Sequence, residues 1–167
     1  LTPETIRYPL ENPQVRRPVL AADSQTTDIA WGNILAFEGC DLLFANEKEA
    51  RFALRDQTSD RDTLGTRLWS AAHYRGATGV FLKLGAQGLA IYGHGPRCQI
   101  PAYAAQPIVD PIGAGDALLA YATLTYAVTK DLELAGHLGS LAAAEACAHL
   151  GNVPVTREAV EARCQRL

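Results

Sequence analysis

The sequence predicts an α/β protein with a mainly parallel sheet flanked by helices. Short apolar runs alternate with segments whose apolar residues recur at helical spacing, the pattern of successive βαβ units. Runs such as DLLFAN (residues 41–46) and GVFLKL (residues 79–84) suit buried strands of a sheet covered on both faces. Glycine-rich turns separate the later runs.

Residues 1–17 read as an irregular lead-in, punctuated by Pro3, Pro9 and Pro13. Residues 18–23 (PVLAAD) are an apolar run closed by a carboxylate and predict a strand. Residues 26–37 fit a short helix or a loop equally well. A second strand follows at 41–46, and good helix formers at 47–54 predict a helix. Over 60–75 the helical signal is stronger: Leu64, Leu68, Ala71 and Ala72 share one face, and aspartates occupy the first turn. Residues 79–84, 89–92 and 99–103 predict three strands. Two long helices follow at 114–129 and 132–150, the second rich in alanine. Thr156 opens a capped helix, with Glu158 and Glu161 behind it.

Composition narrows the function classes. The chain has 167 residues, 48% of them hydrophobic and 20% charged, the make-up of one ordinary soluble globular domain. A net charge of −3, with lysines and arginines scattered, predicts neither nucleic acid nor an anionic membrane as partner. The longest apolar stretch, between Asp116 and Lys130, would span about 20 Å as a helix, short of a hydrocarbon core of roughly 30 Å. No signal peptide is legible at the start, where Glu4, Arg7 and Glu11 interrupt any apolar run. Cys40, Cys98, Cys147 and Cys164 lack C-x-x-C spacing, which predicts reduced thiols and a cytoplasmic location. The sequence has no Met and opens on Leu1, so a processed product or an unrecorded N-terminal part is expected.

The densest chemical signal is DPIGAGD at residues 110–116, between a short hydrophobic approach and a long helix. Gly113, Ala114 and Gly115 let a ligand come close to their backbone amides. The first amides of a helix lack intrahelical acceptors and sit at the positive end of its dipole, a ready anion site. A carboxylate beside such a site makes sense if it takes a proton from a hydroxyl attacking a bound phosphate. A glycine turn with an acidic helix start gives the same residues a purely structural meaning.

The DPIGAGD turn resembles the second signature of the ribokinase-like (PfkB) carbohydrate kinases. In that family the small residues form an anion hole and the last Asp is the catalytic base. The resemblance implies these roles for Gly113, Ala114, Gly115 and Asp116. Pro111 departs from the usual Thr or Ala and removes an N–H beside the hole. Asn46 and Glu49 in NEKE resemble the family's N-x-x-E element. That implies ATP contact by Asn46 and Mg²⁺ held through water by Glu49, chemistry suited to a hard cation that keeps its waters. An acidic first helical turn explains the same four residues without any metal. KLGAQG, with Lys83, Gly85 and Gly88, resembles the strand-turn element laid along the ATP phosphates and ribose. Residues 140–156 resemble the helix and loop flanking the adenine, with Ser140 where the family often has Asn. By the same resemblance, a monovalent cation (K⁺) sits beside Asp110 and the backbone of 110–112.

The matches run from Pro18 to the end, which makes 18–167 the ATP-binding, catalytic part of a ribokinase-like domain. Family members are longer than this chain, and the N-terminal part of their fold, with most sugar contacts, is not identifiable here. Residues 22–25 (ADSQ) and 46–51 (NEKEAR) look most similar to heptose-phosphate kinases. The expected activity is ATP-dependent phosphoryl transfer to a hydroxyl of a sugar or sugar phosphate. A nucleotide-binding module without catalysis, the remnant of a truncated kinase, is the alternative. An uncovered sheet edge predicts that the chain as given self-associates, a homo-oligomer or aggregate. Neither a Walker A loop nor a G-x-G-x-x-G turn occurs.

Overall fold

The computed structural model describes residues 17–24, 32–103 and 108–167. The expected lead-in, apart from Arg17, and residues 26–31 of the ambiguous stretch lie outside them. The described residues form five strands: β1 (Ala21–Asp23), β2 (Leu42–Asn46), β3 (Gly79–Lys83), β4 (Leu89–Gly93) and β5 (Cys98–Ile100). They also form the helices α1 (Glu47–Leu54), α2 (Arg61–His73), α3 (Ala114–Thr129), α4 (Leu132–Ala146) and α5 (Arg157–Cys164). One sheet takes the strands in the order β1-β2-β3-β4-β5.

The sheet is mixed. β1 and β2 run parallel with Ala22 opposite Leu43, while β4 and β5 run antiparallel with Ala90 opposite Gln99. The link between β4 and β5 is only residues 94–97, and a parallel crossover needs about a dozen residues or more. The α/β class expected from the sequence therefore stands, with an antiparallel pair at one edge. The strand expected at 99–103 stops at Ile100 because Pro101 has no N–H for the ladder. The helix expected at 132–150 ends at Ala146. Beyond it the amides of Ala148 and His149 reach back three residues, to the carbonyls of Glu145 and Ala146, tightening the last turn. In the 26–37 stretch, Ile34–Ala36 forms one 3₁₀ turn capped by Asn33.

The chain divides into two compact units, residues 1–82 with 92–96, and residues 83–91 with 97–167. In the first, Leu42, Leu43, Phe44 and Ala45 are all buried, as a strand covered on both faces requires. The rings of Phe44 and Phe81 stack with centroids 4.5 Å apart. Helix α2 buries Leu64, Leu68 and Ala72 at the predicted helical spacing. Asp56 accepts from the Ser59 amide (3.0 Å), the Ser59 hydroxyl (2.8 Å) and the Thr58 amide (3.2 Å), and pairs with Arg67. Those bonds, Ser59 foremost, hold its carboxyl down to about 2.

In the second unit α3 packs along α4. The small residues of α4 serve close packing: a Cβ on Gly139 would stand 2.9 Å from the Leu118 carbonyl oxygen of α3. Helix α5 is tied to α4 by Arg163, whose Nε donates to Glu145 at 2.5 Å. Leu124 and Val128 on α3 are 67% and 86% exposed. No helix among the described residues is long and apolar enough to cross a membrane.

Candidate active site

The 110–116 turn is built by Asp110. Its Oδ1 accepts from the Ile112 amide at 3.0 Å and its Oδ2 from the Gly151 amide at 2.9 Å. The first of these bonds closes the turn and the second ties it to the loop after α4. Both amides, Ile112's first, lower the Asp110 pKa. A second tie runs alongside, from the Val109 amide to the Cys147 carbonyl at 2.9 Å. Gly113 then takes φ = +81° as the N-cap of α3 and supplies no side chain to cap the helix. The Ala114 amide turns back to the Pro111 carbonyl at 3.2 Å. The start of α3 thus presents backbone amides at the positive end of a 16-residue helix.

A cavity of about 290 Å³ opens within the second unit. This is near the lower limit of the roughly 300–1,000 Å³ of small-molecule sites. Its walls are the 85–88 turn with Lys83 and Leu89, the exit of β5 at Ala102 and Tyr103, and the Ser140–Cys147 face of α4. Ala114, Gly115 and Leu118 of α3 complete it. Most of this lining is apolar.

The expected site residues fall into three groups. Lys83, Gly85, Gly88, Ala114, Gly115 and Ser140 line the cavity. Gly113 and Asp116 lie beside it: Asp116 is exposed in the first turn of α3, one residue and so about 100° round the helix from Gly115. Asn46 and Glu49 belong to the first unit. There they form a reciprocal capping box, with Asn46 Oδ1 accepting from the Glu49 amide (2.9 Å) and Glu49 Oε2 from the Asn46 amide (2.7 Å). Glu49 is only 3% exposed. Ser140, 4% exposed, donates its hydroxyl to the Pro101 carbonyl at 2.7 Å, so it braces the cavity wall.

Gly88 is fitted to its place. It has φ = +85°, and a Cβ there would overlap the Ile100 carbonyl oxygen and stand 2.7 Å from Ala102 N. The turn therefore lies flat on the chain leaving β5. Three residues of this region carry no sequence signal. Asn152 sits over Gly113, its Oδ1 2.5 Å from where a Cβ would be. Tyr103 lines the cavity and bonds His137 of α4. The one hint is that His137 and Ser140 are three apart and so share a helix face.

Comparison with known proteins gives the family and the fold. The family model of the pfkB family carbohydrate kinases matches residues 18–157. Among solved structures, a ribokinase from Thermotoga maritima superposes with a TM-score of 0.75 at 22% identity, over 96% of this chain and 52% of its own. Ribokinase of Arabidopsis thaliana, solved with ribose and ATP, gives a TM-score of 0.71 at 23% identity, over 86% of this chain and 46% of its own. Adenosine kinase of Sinorhizobium meliloti is 27% identical, with a TM-score of 0.63, over 75% of this chain and 36% of its own. The chain thus spans about half the length of the ribokinases or less. With the family model covering most of its length, the chain belongs to the pfkB family of carbohydrate kinases.

Proposed function

We propose that this chain carries the phosphoryl-donor site and the catalytic base of an ATP-dependent kinase acting on a hydroxyl of a sugar or sugar phosphate. The observation that carries the reading is the cavity whose wall includes the first turn of α3, with Asp116 exposed in that same turn. The apolar part suits a nucleobase and its ribose, and the helix start suits the phosphate chain. By the family resemblance, Gly113 and Gly115 would offer backbone amides to the charge that develops on the transferred phosphoryl group, with Ala114, whose amide meets the Pro111 carbonyl, as the small residue between them. Asp116 accepts the proton of the attacking hydroxyl. Lys83 faces the cavity and adds a positive charge for the phosphate chain.

For Mg²⁺ the role of Asn46 and Glu49 rests on the family resemblance, by which Glu49 would act through water; in the structure Glu49 is 3% exposed and its Oε2 is engaged in the capping box. When bound, the ion neutralises charge on the phosphate oxygens. By the same resemblance a K⁺ would sit beside Asp110, whose two oxygens each accept one backbone amide and keep a further lone pair. Within the family, the likeness of residues 22–25 and 46–51 to heptose-phosphate kinases favours a phosphorylated acceptor.

The test is acceptor-dependent ATP consumption by the whole protein across a panel of sugars and sugar phosphates. ADP formation above the no-acceptor rate with at least one acceptor supports the proposal. ATP binding with no stimulation by any acceptor would make the chain a nucleotide-binding module instead.

A further inference from the structure

The second unit contains a side-chain pair with no role in the chemistry above. Tyr103 lines the cavity, and its hydroxyl lies 2.7 Å from Nδ1 of His137 on α4. The two rings are 6.0 Å apart between centroids and inclined by 39°. One helical turn further on, Ser140 holds the Pro101 carbonyl, so α4 grips the segment leaving β5 at two points. From the other side the Gly88 turn lies against the same segment. The backbone leading to Tyr103 is thus held by Ser140 and the Gly88 turn, and its hydroxyl by His137.

A tyrosine serving only to fill space gains nothing over phenylalanine from its hydroxyl, which needs a partner when buried. Here the hydroxyl has one, and the bond holds a side chain that both lines the cavity and packs against the buried cluster of Leu141, Ala142 and Val160. Apart from Lys83, Cys147, three glycines and Ser140, whose hydroxyl is engaged by the Pro101 carbonyl, the rest of the lining is alanine, isoleucine, leucine and proline. A sugar placed there would leave most of its hydroxyls unpaired, whereas a flat heteroaromatic base would lose little and could stack. We infer that Tyr103 is a specificity-determining wall for the nucleobase of the phosphoryl donor, with His137 as its positioning residue; this rests on the nucleotide site proposed above.

The experiment compares equilibrium binding of ATP and of inorganic tripolyphosphate, which has no base, to the whole protein. The variants are Tyr103→Leu, Tyr103→Phe, His137→Ala and the Tyr103→Phe/His137→Ala double. Loss of stacking should weaken ATP binding roughly 5- to 100-fold in Tyr103→Leu. Loss of the tether should weaken it roughly 2- to 10-fold in Tyr103→Phe and in His137→Ala. The double variant should bind ATP no worse than either single one, because the two groups act through one bond. Tripolyphosphate affinity should stay constant throughout. ATP affinity unchanged in Tyr103→Leu would overturn the inference, as would parallel losses of ATP and tripolyphosphate, the signature of a merely structural role. Unmodified protein that binds neither ligand overturns the nucleotide site itself, and the inference with it.

Discussion

Replacing Gly88 by alanine puts the geometry of the cavity wall to a quantitative test, with Gly85→Ala as its internal control. Both glycines have positive φ, +59° at Gly85 and +85° at Gly88. At Gly85 an added Cβ meets nothing within 4 Å, so only the left-handed backbone is penalised, about 1–2 kcal/mol. At Gly88 the Cβ would overlap the Ile100 carbonyl oxygen and approach Pro101 C and Ala102 N at 2.7 Å. Those atoms are backbone, and the segment is braced from behind by Ser140 and His137, so it cannot step aside cheaply. The combined cost should exceed about 3 kcal/mol, the upper end of single-residue backbone strain. At roughly 2–4 °C per kcal/mol for a chain of this size, Gly88→Ala should lower Tm by at least about 6 °C, and Gly85→Ala by about 2–8 °C, with the larger fall at Gly88. Urea denaturation gives the free energies directly, and the affinity for ATP should fall with Gly88→Ala because the wall itself moves. Equal destabilisation by the two variants would refute the argument, since it would mean the turn does not lie against the β5 exit.

Asp56 should make the first unit acid-sensitive. Its folded pKa of about 2 lies below the ordinary 3.8, so its contribution is fully present above about pH 4 and is lost as pH falls toward 2. Accordingly, the stability gap between the wild type and Asp56→Asn, followed by denaturant melts, should narrow across that window; a constant gap would contradict the assignment. Ser140→Ala removes the bond to the Pro101 carbonyl and should cost about 0.5–1.5 kcal/mol in urea unfolding. No change in the midpoint would show that the hydroxyl is not a brace.

Much of this architecture is legible in the sequence because local chemistry marks it. The bounds of α3 follow from Gly113 before it and Lys130 after it, both at positive φ, with a continuous apolar run between. Helix α1 is announced by Asn46 and Glu49, which suit either a capping box or a phosphate-side motif; the structure displays the box. The turn before α3 is legible from its run of small residues, Gly113, Ala114 and Gly115. What stays hidden depends on residues far apart in the chain. Asp110 meets Gly151 across 41 positions, and Tyr103 meets His137 across 34. Such bonds leave no periodic trace, and a serine that braces a carbonyl reads like one that touches a ligand. The early end of β5 was available from Pro101, whereas the mixed sense of the sheet needed the length of the β4–β5 link.

Asp116 is the residue on which the proposed phosphoryl transfer depends. The decisive measurement is the single-turnover rate of phosphoryl transfer by Asp116→Asn in the whole protein, taken together with its ATP affinity. The side chain lies outside the cavity lining yet in the same first turn of α3, so exchanging carboxylate for amide should leave ATP binding within about twofold. Transfer itself should slow by about 10²- to 10⁴-fold, the usual worth of a positioned base. An Asn variant that transfers phosphate at the wild-type rate, or one that loses ATP binding and transfer in equal measure, would contradict the assignment of Asp116 as the base.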